Sequence, residues 1–287
     1  MGRAVITEQR LSDIADAIRG KTGGQNAMTP AEMAAAIEGM ETTPAYLYDD
    51  STYPEHMEWP YSTMRKCQFY SYARPAASDQ FFHTIDLGTL REVPERAFMQ
   101  GLGMYSDQHP LTAVTGLKVL GIHDYAFNSC TSLATLNCPR LQAIYQSGLC
   151  CTAITDLPQT VRVINGNGMR RTPVTVLDLP NLKTIGKLAF CECANFTTLK
   201  LKAIETIAAQ ALQDATNFAN LVLDIGETAP LPTLENVNAF ANTKITTLID
   251  TAGHIYITDS RLSELRGATN WSSFGSYAIK PLSEYNP

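Results

Sequence analysis

Cysteine is the residue type with the most chemistry to offer in this chain. There are seven cysteines, an odd number. Cys191-Glu192-Cys193 has the alternating thiols of a metal-ligand run, and Cys150 and Cys151 are adjacent. A zinc site would need a second cysteine pair or a histidine at ligand spacing, and neither accompanies them. The expectation for most of these thiols is a set of small, free, buried side chains at turn corners. Spacing alone implies no disulfide. The five histidines (His56, His83, His109, His123, His254) are scattered, and each is read as structural. Asp49-Asp50 is a carboxylate pair without a partner pattern. Asn165-Gly166-Asn167-Gly168 is glycine-rich but reads as a turn between strands. No GxSxG, HExxH, Walker loop or CxxC pair occurs. The chain is therefore expected not to be an enzyme and to use no cofactor or metal.

Aromatic residues offer a second kind of chemistry. Tyr46, Tyr48, Tyr53, Trp59, Tyr61, Phe69, Tyr70, Tyr72, Phe81 and Phe82 crowd residues 44–82, where Pro44, Pro54, Pro60 and Pro75 break any long helix. Such a segment can cap an open core. It can equally form a Tyr/Trp recognition surface for sugars or proteins, since these side chains dominate binding hot spots.

What positions such residues is a degenerate repeat of about 20–23 residues. An aliphatic residue leads, five positions on, to a large apolar anchor, often in an Ala-Phe pair. Val93 leads to Phe98, Ile122 to Phe127, Ile144 to Leu149, Ile164 to Met169, Ile185 to Phe190 and Ile207 to Leu212. A last copy ends at Ala239-Phe240. The anchors from Phe127 to Leu212 lie 22, 20, 21 and 22 residues apart. After each anchor comes a second apolar set: Leu133 and Leu136; Ile154 and Leu157; Val174, Leu177 and Leu179; Phe196, Leu199 and Leu201; Phe218, Leu221 and Leu223; Ile245 and Leu248. The alternation in Leu177-Asp178-Leu179, Leu199-Lys200-Leu201 and Leu221-Val222-Leu223 has the period of a strand with one buried face. No single unit can bury its own face, so stacked units must share a core, as in a solenoid.

With the leucines inward, the alternate strand residues face out: Thr135, Asn137, Val176, Asp178, Thr198, Lys200, Asn220, Val222 and Thr247. They are small and mostly uncharged, so they form either a merely soluble face or a ladder that meets a glycan or a flat protein surface. The net charge is −6, without a basic block, which argues against nucleic acid and anionic membrane. No apolar run approaches the roughly 18 residues of a membrane span. Residues 1–10 contain no apolar core of a secretory signal.

Residues 1–42 differ in kind. Thr7 caps an expected helix with Leu11, Ile14 and Ile18 on one stripe. Thr29-Pro30-Ala31-Glu32 is a strong start for a second helix carrying Met33 and Ile37. Two helices of about three turns are too small to stand alone. They pack on the rest of the chain, or they join it to a partner or to a copy of itself. At the other end, Ile255-Tyr256-Ile257 reads as a strand. A helix with Leu262, Leu265 and Arg266 follows from near Asp259, and Trp271 is expected in the core of that cap.

The repeat resembles the BspA-like leucine-rich repeat. The carriers are Ile122-His123-Asp124-Tyr125-Ala126-Phe127-Asn128-Ser129-Cys130-Thr131-Ser132-Leu133 and the copy with Leu182, Ile185, Ala189, Phe190, Cys193, Phe196, Leu199 and Leu201. The Gly148-Leu149 and Gly168-Met169 copies depart from Ala-Phe, so irregular stacking is expected there. The resemblance implies an α/β solenoid of short stacked strands and a binding rather than catalytic role. It divides the chain into an N-terminal helical hairpin (1–42), an aromatic linker and cap (43–86), the solenoid (87–252) and a C-terminal strand-helix cap (253–287). Ala268-Thr269-Asn270-Trp271-Ser272 and Ile279-Lys280-Pro281-Leu282 resemble the closing segment of such arrays.

Residues 6–40, through Leu11-Ser12-Asp13-Ile14-Ala15-Asp16-Ala17-Ile18-Arg19 and Met28-Thr29-Pro30-Ala31-Glu32-Met33, resemble a module of phage and prophage tail-associated proteins of Gram-positive bacteria. This implies attachment to virion proteins or self-association through Leu11, Ile14, Ile18, Met33 and Ile37. It also implies a virion location, a homo-oligomer, and a host protein or cell-surface glycan as partner. A bacterial surface adhesin and an intracellular scaffold are the alternatives.

Overall fold

The computed structural model describes residues 56–58, 84–88, 90–99, 111–248 and 251–287. All lie in one compact unit, Pro54–Pro287. The expected helical hairpin, with Leu11, Ile14, Ile18, Met33 and Ile37, lies outside the described residues. So do Tyr46, Tyr48, Tyr53, Trp59 and Tyr61 of the aromatic segment.

Short parallel strands succeed one another in chain order. They are β1 (His56–Glu58), β2 (Thr84–Asp86), β3 (Glu92–Val93), β4 (Ala113–Thr115), β5 (Gly121–Ile122), β6 (Thr135–Asn137), β7 (Ala143–Ile144) and β8 (Val163–Ile164). There follow β9 (Val176–Leu179), β10 (Thr184–Ile185), β11 (Thr198–Leu201), β12 (Thr206–Ile207), β13 (Asn220–Leu223), β14 (Thr233–Leu234), β15 (His254–Ile257) and β16 (Ile279–Pro281). The two-residue strands form one seven-stranded sheet in the order β14-β12-β10-β8-β7-β5-β3. The longer strands form two sheets, β1-β2-β4-β6 and β16-β15-β13-β11-β9. Every pairing is parallel and joins a coil to its neighbour, in register at one repeat. This is the expected solenoid of stacked short strands. Its leucine ladder is inward: Leu177, Leu179, Leu199, Leu201, Leu221 and Leu223 are all fully buried.

The anchors occupy the corner between the two kinds of strand. Phe98 stacks flat on Phe127 at 4.9 Å between ring centroids. Phe196 bridges Phe190 (5.1 Å) and Phe218 (5.0 Å), and Phe240 continues the column. Residues two before and two after the anchor repeatedly adopt left-handed backbone: Tyr125 and Ser129, Ser147 and Cys151, Asn167 and Arg171, Leu188 and Glu192, Gln210 and Asp214. For a residue with a Cβ this costs about 1–2 kcal/mol. The gain is that alternate amides point in opposite directions. Tyr125, Phe127 and Ser129 donate to Gln146, Gly148 and Cys150 of the next coil, while Ala126, Asn128 and Cys130 close turns on His123, Tyr125 and Phe127 of their own. The corner therefore leaves few buried amides to satisfy.

From Phe127 onward, three positions after the anchor sits a small residue, Ala215 after Leu212 and elsewhere a hydroxyl or thiol that completes the corner. Where it is threonine, its hydroxyl donates to its own anchor's carbonyl: Thr152 to Leu149, Thr172 to Met169 and Thr243 to Phe240. Where it is cysteine, the thiol reaches the preceding anchor's carbonyl, Cys130 to Phe98 and Cys193 to Met169, both at 3.1 Å. All six described cysteines are free, and five are buried, as the repeat pattern leads one to expect.

The Gly148-Leu149 and Gly168-Met169 coils stack at the corner without a gap, since the Leu149 amide donates to Gly168 and the Met169 amide to Ala189. The irregularity falls instead on the long-strand face. Residues 154–157 form no strand, and this separates β6 from β9. The Leu157 amide is diverted to the Asp156 carboxylate at 2.8 Å, and Pro158 has no amide to offer. Leu248 also departs from the pattern. It is 70% exposed, and Ile255 and Ile257 take its place in register with Leu221 and Leu223.

The far end is sealed as expected. Trp271 is buried against Phe240, and its indole donates to the Pro232 carbonyl at 2.8 Å. A short 3-10 turn (Asp259–Arg261) leads into α1 (Leu262–Gly267), and α2 (Gly275–Ala278) precedes β16. Arg261 is buried and donates to the carbonyls of Gly226, Glu227 and Ala229 as well as to Glu264. Pro281 on β16 discourages another strand from adding to this edge.

Two tests follow from this packing. A Cβ at Gly186 would lie 2.8 Å from backbone atoms of Asn165 and Gly166, whereas one at Gly226 meets only Ala229 at 4.0 Å. Gly186→Ala should lower stability to urea by about 1–3 kcal/mol, and Gly226→Ala should leave it unchanged or slightly raised. Arg261→Met should cost about 2–3 kcal/mol by stranding the three carbonyls. Arg261→Lys should restore only part of the loss, because one ammonium on a shorter stem replaces the two nitrogens that reach the carbonyls and Glu264.

Candidate binding surfaces

The outward ladder on the long strands divides in two. Thr135 and Asn137 on β6 and Asp178 on β9 are exposed, and Val176 beside Asp178 is 49% exposed. One coil further on, the ladder closes. Thr198 is only 6% exposed, in register with Val176 and Asn220, and accepts a hydrogen bond from Asn220 at 3.2 Å. Val222 is 4% exposed. Tyr285 packs on Tyr256 at 5.0 Å, and Lys200 places its ammonium 5.5 Å from the same Tyr285 ring. The C-terminal residues thus lie over the outer face of β11, β13 and β15. Thr135, Asn137 and Asp178 remain accessible, while Thr198, Lys200 and Asn220 are drawn into the cap.

The short-strand side carries a surface that the repeat pattern did not single out. His123 and Tyr145 lie one period apart, directly after the isoleucines of β5 and β7, and their rings stack at 4.6 Å. Glu92 approaches the His123 Nε2 at 3.3 Å. Gly121 leaves room for both neighbours, because a Cβ there would fall 2.0 Å from the Glu92 carboxylate and 3.3 Å from the Tyr145 ring. Beside them the Arg96 guanidinium lies 5.5 Å from the Tyr125 ring, and the Asp124 carboxylate accepts the Gln146 amide. The result is a half-exposed platform of aromatic rings edged by carboxylates, an amide and a guanidinium. The signal for it was present, since two ring-bearing residues 22 apart in a 22-residue repeat must stack.

A third cluster sits at the anchor corner of three successive coils. Cys150 and Cys151 follow Leu149, Arg170 and Arg171 follow Met169, and Cys191 and Glu192 follow Phe190. Glu192 accepts from Arg170 Nε at 3.0 Å, from Arg170 Nη2, and from Arg171 Nε at 2.6 Å. These two bonded guanidinium groups hold the Glu192 carboxyl below its usual range. The Cys150 and Cys151 sulfurs are 3.5 Å apart. In Cys191-Glu192-Cys193 the sulfurs take different partners. Cys193 bonds inward to the Met169 carbonyl, and Cys191 lies 3.8 Å from Glu192. Among the described residues, no group of three or more His, Cys, Asp or Glu side chains could hold a metal ion. No described helix is long and apolar enough to cross a membrane.

The BspA type leucine rich repeat region matches residues 108–218 and 149–264, with six copies. These matches span more than half of the chain, which belongs to this family. Among solved structures, a leucine-rich repeat protein from Bacteroides ovatus is 16% identical with a TM-score of 0.43. The likeness covers 62% of this chain and 52% of that one, so it spans about half the length of that protein. A leucine rich cell surface protein from Faecalibacterium prausnitzii is 12% identical with a TM-score of 0.26, over 79% of this chain and 87% of that one. No curated protein matches.

Removing one side of the corner network tests its structural weight. Glu192→Gln retains the shape but not the charge that holds Arg170 and Arg171. The pairs are largely solvated, so the expected loss in urea stability is at most about 1 kcal/mol. A larger loss would mean that the corner is much drier than its exposure indicates.

Proposed function

We propose that this chain is a non-enzymatic binding protein of a phage or prophage tail, baseplate or fibre. In this reading residues 1–42 join it to virion proteins or to its own copies, and the solenoid meets a protein or glycan on the host cell. The observation that carries the binding half is the stacked His123–Tyr145 platform beside Glu92, Tyr125 and Arg96. Half-exposed aromatic rings on a rigid backbone lose little entropy on binding and offer a face for sugars or apolar side chains. Thr135, Asn137, Val176 and Asp178 supply a second accessible patch. The attachment half is supported by the resemblance of residues 6–40 to tail-associated modules. Several copies held together would raise weak single contacts by avidity. Membership of the BspA-type family also favours a bacterial surface adhesin, which would present the same platform from a cell rather than a particle.

Light scattering of the full chain and of residues 43–287 tests the attachment half. A full-length oligomer that falls to a monomer on truncation is expected, and a monomer in both cases removes self-association. For the binding half, retention of the labelled protein on host cells should fall at least about tenfold in Tyr145→Ala. Asn195→Ala, at an exposed position two coils beyond that of Tyr145, should leave it unchanged. Equal retention of both variants would remove the platform from the proposal.

A further inference from the structure

We propose that Cys150 and Cys151 form a thiol–disulfide exchange site that reacts with a low-molecular-weight disulfide, with Cys151 attacking and Cys150 resolving. Their geometry is what separates them from the other described cysteines. Cys151 is the one described cysteine that is not buried. It sits in left-handed backbone at the solenoid corner, φ 59°, with its sulfur 3.5 Å from that of Cys150. The next coil places Arg170 and Arg171 beside the pair, and Glu192 of the coil after that pins both guanidinium groups. Three coils thus supply the nucleophile, the positive charge and the clamp that orients it.

The electrostatics run in the same direction. The hydrogen bond shared by the two thiols holds the Cys151 thiol below the ordinary range, with Arg171 and Arg170 adding to it. Cys150 is pushed up by that same bond and then by burial. The more exposed sulfur, Cys151, is thus the one placed to attack, and the buried Cys150 the one placed to resolve. By contrast, burial pushes Cys138 up to about 12 and Cys193 to about 11. Cys130 and Cys193 are further engaged with backbone carbonyls. An exposed thiolate beside cations is the reactive form of cysteine, and a buried neutral thiol is inert.

The exchange balances in two steps. The Cys151 thiolate attacks one sulfur of the disulfide RSSR, forming a mixed disulfide and expelling RS⁻. The Cys150 sulfur then attacks Cys151, expelling a second RS⁻, and its proton passes to the thiolate released. The sum is two protein thiols and RSSR giving one Cys150–Cys151 disulfide and two RSH. Adjacent Cα atoms lie about 3.8 Å apart, closer than the roughly 4.4–6.8 Å that disulfides usually span. A bond closed there is strained and easily reduced, which suits a reversible switch rather than a structural staple.

The probe is oxidised glutathione, added to the full chain and its Cys150→Ser and Cys151→Ser variants without other oxidant. The reaction is quenched with iodoacetamide and read by peptide mass. In the parent protein the tryptic peptide covering residues 141–162 should become two hydrogens lighter and release two reduced glutathiones per chain. Cys150→Ser should stop with one glutathionyl group on Cys151, and Cys151→Ser should stay unmodified. Iodoacetamide alone should label Cys151 at least about tenfold faster than Cys138 or Cys193 of the same molecules. Labelling at equal rates would overturn the proposal even if neither variant folds. A stable glutathionyl adduct on the parent protein would overturn the resolving step.

Discussion

The structure depends on how the backbone gets around the anchor corner. A strand can pass hydrogen bonds to the next coil, but a tight corner turns amides back on their own chain. Here the residues two before and two after the anchor go left-handed, so every second amide faces the neighbouring coil. Ladder bonding therefore runs through the turns as well as the strands. The penalty of about 1–2 kcal/mol at each such residue falls on side chains as large as Tyr125, Leu188 and Arg171. It is tolerated because the alternative is a ring of unsatisfied amides around a closely packed aromatic column. It also makes each coil dependent on its neighbours, which is the nearest-neighbour logic of a repeat array.

That constraint explains which parts of the fold were legible. The anchors and strand leucines repeat at fixed spacing because they must stack, and Phe127, Phe190, Leu177 and Leu199 are all buried where the period places them. The Cys130 and Cys193 positions were legible for the same reason. What the period could not give was the identity of interruptions. Leu248 fits the pattern by spacing, yet the strand forms at His254–Ile257, and Ile255 and Ile257 fill the core instead. The loss of a strand at 154–157 comes from a carboxylate one residue away capturing an amide, which an apolar pattern does not see. Nor could it see that Tyr285 returns across the outer face to cover Lys200.

The candidate binding surfaces follow the same division. Thr135, Asn137 and Asp178 were found because strand alternation assigns them outward. Thr198 and Asn220 obey that alternation too, but whether an outward residue meets solvent depends on segments far along the chain. The His123–Tyr145 platform arises from the repeat in another way. Positions just after the short strand carry no repeated residue type: His123, Tyr145, Asn165, Gly186 and Ala208 stand there. The repeat nevertheless stacks whatever stands there, and two rings one period apart become a platform without any local signature.

Departures from the consensus cluster in one stretch of the solenoid. The coils anchored by Leu149 and Met169 replace the Ala-Phe pair, carry the vicinal thiols and the paired arginines, and flank the gap between β6 and β9. Glycine stands at 148 and 168 where other coils carry alanine, and a Cβ at Gly168 would come within 2.8 Å of the Ile164 side chain, one at Gly148 within 3.2 Å of Ile122 and Ile144. The corner ladder continues through these coils, the Cys151 amide donating to Arg170 and the Arg171 amide to Cys191. That ladder sets Arg170 and Arg171 beside Cys150 and Cys151 and delivers Glu192 to both guanidinium groups. Over residues 148–192 the stacking ladder brings the vicinal thiols, the paired arginines and Glu192 of three adjacent coils together, as it brings His123 onto Tyr145 at the short-strand side.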